Sequence, residues 1–138
     1  MATRLDRPCA NLNFRVDLGG RGDARALGFA EVILPELRLD GDADITHVQP
    51  AAPRVVLRRG ADGALDLYRW WDLARRGKAP RRRTLKVHLL ADDHETVVLT
   101  WVFRNVRPAS LSYSPLNAND GSVVMETIEL AFDSMEMA

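Results

Sequence analysis

The sequence predicts a mainly β fold with a single α-helix. Two observations carry this. Apolar residues alternate with polar ones through much of the chain, the period of half-buried strands, and turn-forming residues break that alternation at short intervals. A third observation marks the exception: between residues 62 and 77 the apolar spacing lengthens to that of a helix. The 138 residues, 46% hydrophobic and 28% charged, are expected to form one domain, 1–138, with a packed core.

Strands are expected at 13–18, 27–34, 53–59, 84–91, 96–106 and 122–132, with a further short one near 110–114. In "TVVLTWVFRNV" (96–106), Val97, Leu99, Trp101 and Phe103 form one face. Val98, Val102 and Val106 make the other face apolar as well, although Thr100 and Arg104 interrupt it. A strand apolar on both faces in so small a domain points to a subunit interface. In "SVVMETIELAFD" (122–133), Val124, Ile128, Leu130 and Phe132 face inward, and Glu126 falls in the same row. An unpaired carboxylate there is costly, so Glu126 is expected to form a buried ion pair with Arg58, Arg59 or Arg104.

The helix falls in "GADGALDLYRWWDLARRGK" (60–78). Ala64, Leu67, Tyr68, Trp71 and Ala74 are spaced as one helical stripe. Asp62 is placed to cap its start and Gly77 to end it, while Arg75, Arg76 and Lys78 lie at the negative end of the helix dipole. This phase sends Trp71 into the stripe and turns Trp70 about 100° away, beside Leu73. The apolar surface is then wider than one sheet face needs, which predicts a second neighbour. The plainer alternative has Trp70 wrapping the edge of its own core.

Nineteen basic and nineteen acidic residues cancel, so neither nucleic acid nor an anionic membrane is the default partner. One cysteine, Cys9, excludes an intrachain disulfide. The first residues lack the apolar run of a secretory signal, and nothing approaches a membrane span. Asp40, Asp42 and Asp44 have the first spacings of a calcium loop, but Ile45 stands where the turn needs glycine and Ala51 where a glutamate should close the site. "HLLADDHE" (88–95) gathers possible metal ligands, yet reads as a strand followed by a hairpin turn. Arg-Gly-Asp at 21–23 reads as part of a glycine-rich turn. No P-loop, dinucleotide fingerprint, nucleophile elbow or zinc-protease motif occurs, so neither catalysis nor a small-molecule cofactor is expected. The basic run "RRGKAPRRR" (75–83) favours an acidic protein surface over nucleic acid, with Asp40, Asp42 and Asp44 of a neighbouring copy as counter-charges.

Taken in order, "NFRV" (13–16), "LGFAEV" (27–32), "VVLRRG" (55–60), "LDLYRWW" (65–71), "RRT" (82–84) with "LL" (89–90), "WVFRNVRP" (101–108), "SYSPLNA" (112–118) and "METIELAF" (125–132) resemble the tail tube proteins of contractile-tailed phages and related contractile injection systems. The resemblance implies an antiparallel β-barrel with one flanking α-helix. It also implies six-membered rings stacked into a tube inside a sheath, with baseplate partners and DNA or protein cargo in the lumen. Such a particle component would be assembled in the bacterial cytoplasm, with no membrane binding of its own. The helix would then touch its own barrel on one side and a neighbouring subunit on the other, making Trp70, Leu73, Arg75, Arg76 and Lys78 contact residues. The segment between Leu34 and Arg54 is shorter than the family pattern leads one to expect, which leaves room for a specialised ring such as a baseplate-proximal initiator. Two other classes stay open: a monomeric β-barrel module that binds an acidic protein or nucleic acid through 75–83, and a metal-dependent enzyme around His88 and His94.

Overall fold

The computed structural model describes residues 9–10, 13–19, 28–39, 53–78 and 82–138. Seven strands and one helix follow in the order β1 (Phe14–Asp17), β2 (Glu31–Ile33), β3 (Arg54–Gly60), α1 (Asp66–Arg75), β4 (Arg83–Leu90), β5 (Val97–Tyr113), β6 (Met125–Ala131) and β7 (Ser134–Met137). All pairings are antiparallel, and the strand order is β1-β4-β5-β6-β3-β2, with β7 also paired to β5. The mainly antiparallel fold with one helix is as the sequence predicts. The barrel does not close, however: among the described residues β1 pairs only with β4 and β2 only with β3, so the sheet wraps a core and stops at two margins.

The wrapping depends on β5. The separate short strand expected near 110–114 is its second half, since β5 runs unbroken for 17 residues. Its first half pairs with β4 and β7, its second with β6. Three register shifts fall along it, opposite Leu89/Leu90 and Arg83/Leu85 and between Pro108 and Ser110. Extra residues on one strand sharpen its bend and twist, which lets a single strand serve both halves of the sheet. At the middle shift Asn105 takes φ 57°, a left-handed conformation that asparagine tolerates better than most residues.

That shift also changes which side chains share a face. Val106 does not lie on the outer face with Val98 and Val102, as strict alternation predicts; it is buried in the core beside Phe103. Val102 is buried on the other face, in register with Lys86 of β4 and Glu136 of β7. Of the second apolar face expected of this strand, Val102 and Val106 are buried within the chain and Val98 is half-buried.

Strand parity sends Val55 and Leu57 of β3 and Ile128 and Leu130 of β6 into the core, with Val16, Leu85, Val87, Phe103 and Val106. Leu67 and Trp70 of α1 complete it, and the helix packs against β5. Phe132 meets Phe103 edge to face at 5.0 Å. Just past β6, Asp133 accepts hydrogen bonds from Arg82 (2.9 Å) and Arg107 (2.8 Å), which pins the break before β7. β7 then continues along the same edge of β5 as β6; alternation over so short a terminal stretch is too weak a signal to predict a strand.

Candidate subunit-contact surface

The helix begins later than its apolar stripe. Asp62 makes a side-chain turn instead of a cap, accepting the Ala64 N–H at 3.0 Å, and the helix proper starts at Asp66. It ends as expected at Gly77, whose φ of 67° only glycine adopts freely. The Gly77 N–H donates to Ala74 O (3.1 Å) and the Lys78 N–H to Leu73 O (2.9 Å), the double closure of a Schellman turn.

The two tryptophans exchange the roles their spacing predicts. Trp70 is 4% exposed and belongs to the core, whereas Trp71 is half-buried and Tyr68 is exposed. The cause is an ionic tether one turn earlier. Asp66 accepts two hydrogen bonds from Arg59 of β3, 2.5 Å at Nη2 and 3.2 Å at Nη1. Asp66 and Trp70 are four residues apart and share a helix face, so holding the carboxylate against β3 rotates Trp70 inward. The Arg83 guanidinium then lies 4.5 Å from its ring centroid.

Tyr68, Trp71 and Arg75 line one flank of the exposed surface of the helix, with Leu65 before its first turn, and Leu73 lies on the other flank. The Tyr68 and Trp71 rings are 6.3 Å apart, and Arg75 sits over Trp71 at 5.3 Å. Leu65, Tyr68 and Leu73 are each more than a third exposed. Tyrosine, tryptophan and arginine on a rigid helix is the composition of protein–protein contact surfaces. Of the residues expected to make contacts, Leu73, Arg75, Arg76 and Lys78 lie exposed at this end of the helix, Trp70 does not, and Asp40, Asp42 and Asp44 lie outside the described residues. Tyr68 and Trp71 are the residues that periodicity misassigned; the spacing of Leu67, Trp70 and Ala74 and the charge at Asp66 carry the phase that the helix adopts.

Behind the helix lies a charge network. Glu126 is 3% exposed, and its Oε1 accepts from Arg59 Nε at 2.7 Å, so of the three arginines considered it is Arg59 that pairs. Its Oε2 accepts from the Tyr113 hydroxyl at 2.5 Å. Arg58 faces the opposite side, bonded to Glu31 and Thr127, and Arg104 pairs with Glu136. Burial alone would raise the Asp66 pKa, but the hydrogen bonds and charge of Arg59 outweigh it and hold the carboxyl below its ordinary value. The hydrogen bond to Glu126, with burial, pushes Tyr113 up to about 12.

Among the described residues of the basic run, four arginines have partners within the chain. Arg75 and Arg76 both bind Asp72, at 2.6 and 3.2 Å, Arg82 binds Asp133, and Arg83 is spent on Trp70. His88 Nδ1 lies 2.9 Å from Thr100 Oγ1, while His94 sits in the β4–β5 turn with φ 60°. No group of three or more His, Cys, Asp or Glu among the described residues is arranged to hold a metal ion. No helix among them is long and apolar enough to cross a membrane.

A bulged antiparallel sheet that stays open among the described residues, flanked by one helix with exposed aromatic and basic side chains, places the chain among the mainly antiparallel β proteins. The chain belongs to the family of the T4-like virus tail tube protein gp19, whose family model matches residues 45–136. Similar folds occur in a chain of the PVC sheath/tube terminator of an extracellular contractile injection system (TM-score 0.75, 18% identity, covering 98% of this chain and 99% of that one). They occur also in a chain of the tube-terminating cap of the anti-feeding prophage (0.72, 17%, 100% and 95%) and in Hcp1 from Flavobacterium johnsoniae (0.62, 13%, 91% and 94%). No curated protein matches the sequence significantly.

Proposed function

We propose that this chain is a structural, non-catalytic subunit of the inner tube of a contractile phage tail or phage-tail-like injection system. Six copies form a ring, and rings stack inside a sheath, above a baseplate, into a conduit for DNA or protein cargo; the particle is assembled in the bacterial cytoplasm. The observation that carries this reading is the exposed surface of α1 in a chain of the tail tube family: Tyr68 and Trp71 on one flank and Leu73 on the other expose apolar area that neighbouring subunits would cover. Leu73, Arg75, Arg76 and Lys78 are contact residues in this arrangement, with Tyr68 and Trp71 in the place first given to Trp70. A role in the ring that ends the tube, at the terminator or at the baseplate, is a second reading. It is favoured by fold similarity to chains from a terminator, a terminating cap and a baseplate structure.

Negative-stain imaging and gel filtration of the purified protein test the proposal. Annular particles with a central hole, eluting far above the 15.4 kDa of one chain, are expected. A species that stays at one chain's mass at every concentration would favour the alternative, a monomeric module holding an acidic ligand through segment 75–83.

A further inference from the structure

We infer that Asp133 pins the bend between the two halves of the sheet, and that this bend sets how many copies of the chain close a ring. β5 belongs to both halves. Up to Val106 it pairs with β4 and β7, and from Arg107 onward with β6. On the facing edge the changeover falls between Ala131, where β6 ends, and Ser134, where β7 begins. Asn105 and Val106 on one side, and Phe132 and Asp133 on the other, are therefore left out of the pairing along that edge. A ladder interrupted at one point is where a sheet bends.

Asp133 closes the interruption from both sides. Its N–H donates to Arg104 O at 3.0 Å. Its carboxylate accepts from Arg107, the first residue of one half, at 2.8 Å, and from Arg82, which leads into β4 of the other half, at 2.9 Å. The same nitrogen of Arg107, Nη1, donates to Asn105 O at 3.0 Å, which ties in the residue whose left-handed backbone lies at the bend. On the core side Phe132 packs edge to face on Phe103. Other exposed ion pairs join strands of one half: Arg54 with Glu129 and Arg58 with Glu31 in the first, Arg104 with Glu136 in the second. The Asp133 pairs differ in spanning the two.

Exposed ion pairs add little to folding stability, so this arrangement acts on geometry. Without the carboxylate, Arg82 and Arg107 lose the group between them and repel as like charges. α1 bridges the halves at their junction, bound to β3 through Asp66 and Arg59 and to β4 through Trp70 and Arg83. The bend therefore also fixes how this helix is presented to a neighbour. In a ring every subunit repeats one head-to-tail contact, and the rotation it imposes decides whether and at what copy number the ring closes.

The step from bend to ring rests on the proposed tube role, and two readouts keep them apart. Spin labels at Lys86→Cys and Ser112→Cys, both exposed and one in each half, report the bend in a Cys9→Ser background. Labelled chain is diluted with unlabelled chain, so that distances within one copy are read. Double electron–electron resonance should give a narrow distribution for the parent and a broader or displaced one for Asp133→Ala, with the melting temperature little changed. Arg54→Ala, which breaks an ion pair within one half, should leave the distribution as it was. An unaltered distribution in Asp133→Ala overturns the pin; should that variant not fold, Arg82→Ala provides the same readout. End-on class averages of negatively stained rings should show one copy number for wild type and a mixture, or another copy number, for Asp133→Ala. Rings of unchanged copy number, built from chains whose bend has changed, overturn the link to ring closure. A wild type that forms no ring overturns the tube role and that link with it, and the label distances still decide the pin.

Discussion

Arg59 is placed where β3, β6 and the start of α1 meet, and its guanidinium is divided between Glu126 and Asp66. Removing one member of a buried pair leaves an uncompensated charge, so Glu126→Ala should cost about 3–5 kcal/mol in denaturant unfolding. The triple replacement Arg59→Met, Asp66→Asn and Glu126→Leu should cost much less than the single one, because no carboxylate of the network is then left without its guanidinium. The two exposed ends of the network give opposite pH signatures. The Asp66 pKa is lowered in the folded chain, so its stabilisation is present above the ordinary carboxylate range and is lost as pH falls through the folded value. The stability gap between wild type and Asp66→Asn should therefore hold at neutral pH and shrink below about pH 4. The Tyr113 pKa is raised from 10.0 to about 12, so its contribution is present below pH 10 and lost as pH climbs through that interval. Tyr113→Phe should flatten the alkaline limb of a stability–pH curve; an unchanged limb would show that the hydroxyl contributes nothing there.

At the scale of elements, the helix divides its two tryptophans between separate tasks. Trp70→Ala should destabilise the single chain by about 3–5 kcal/mol, as truncation of a buried aromatic does. Trp71→Ala should leave thermal unfolding of the single chain nearly unchanged and instead weaken self-association, measured by sedimentation. In β5, Asn105→Val should cost about 1–2 kcal/mol, since a β-branched residue resists the left-handed backbone at that shift, whereas Asn105→Gly should be tolerated. These positions also show what the sequence made legible. The strands were readable because Val55, Leu57, Ile128 and Leu130 obey a two-residue period that burial on one face requires. The inward place of Glu126 was readable for the same reason. The helix phase was not, because Trp70 and Trp71 satisfy hydrophobicity equally and the choice between them is made by an ion pair to a residue on another strand. Nor was the length of β5, since bulges shift parity at Asn105 and make one strand read as two.

For the molecule as a whole, the described surfaces divide into those satisfied within the chain and those left open. Most charges are matched internally: Arg54 with Glu129, Arg58 with Glu31, Arg104 with Glu136, and Asp133 with two arginines. Exposed apolar side chains remain on α1, at Tyr68 and Leu73, and in the β5–β6 loop, at Leu116 and Val123. Self-association driven by them should persist when salt is raised to about 1 M, where exposed ion pairs are screened within about 3 Å. Dissolution of the particles by salt alone would show that charge, as expected of Asp40, Asp42 and Asp44 against the basic run, holds the copies together. The unclosed margins carry a further consequence for the cell. Among the described residues β1 and β2 each pair on one side alone, and a strand edge of that kind is a template onto which a stray extended peptide adds. Charged side chains on an edge strand oppose such pairing; β1 carries Arg15 and Asp17 and β2 carries Glu31, and neutralising all three should send overproduced chains into amorphous or fibrillar deposits.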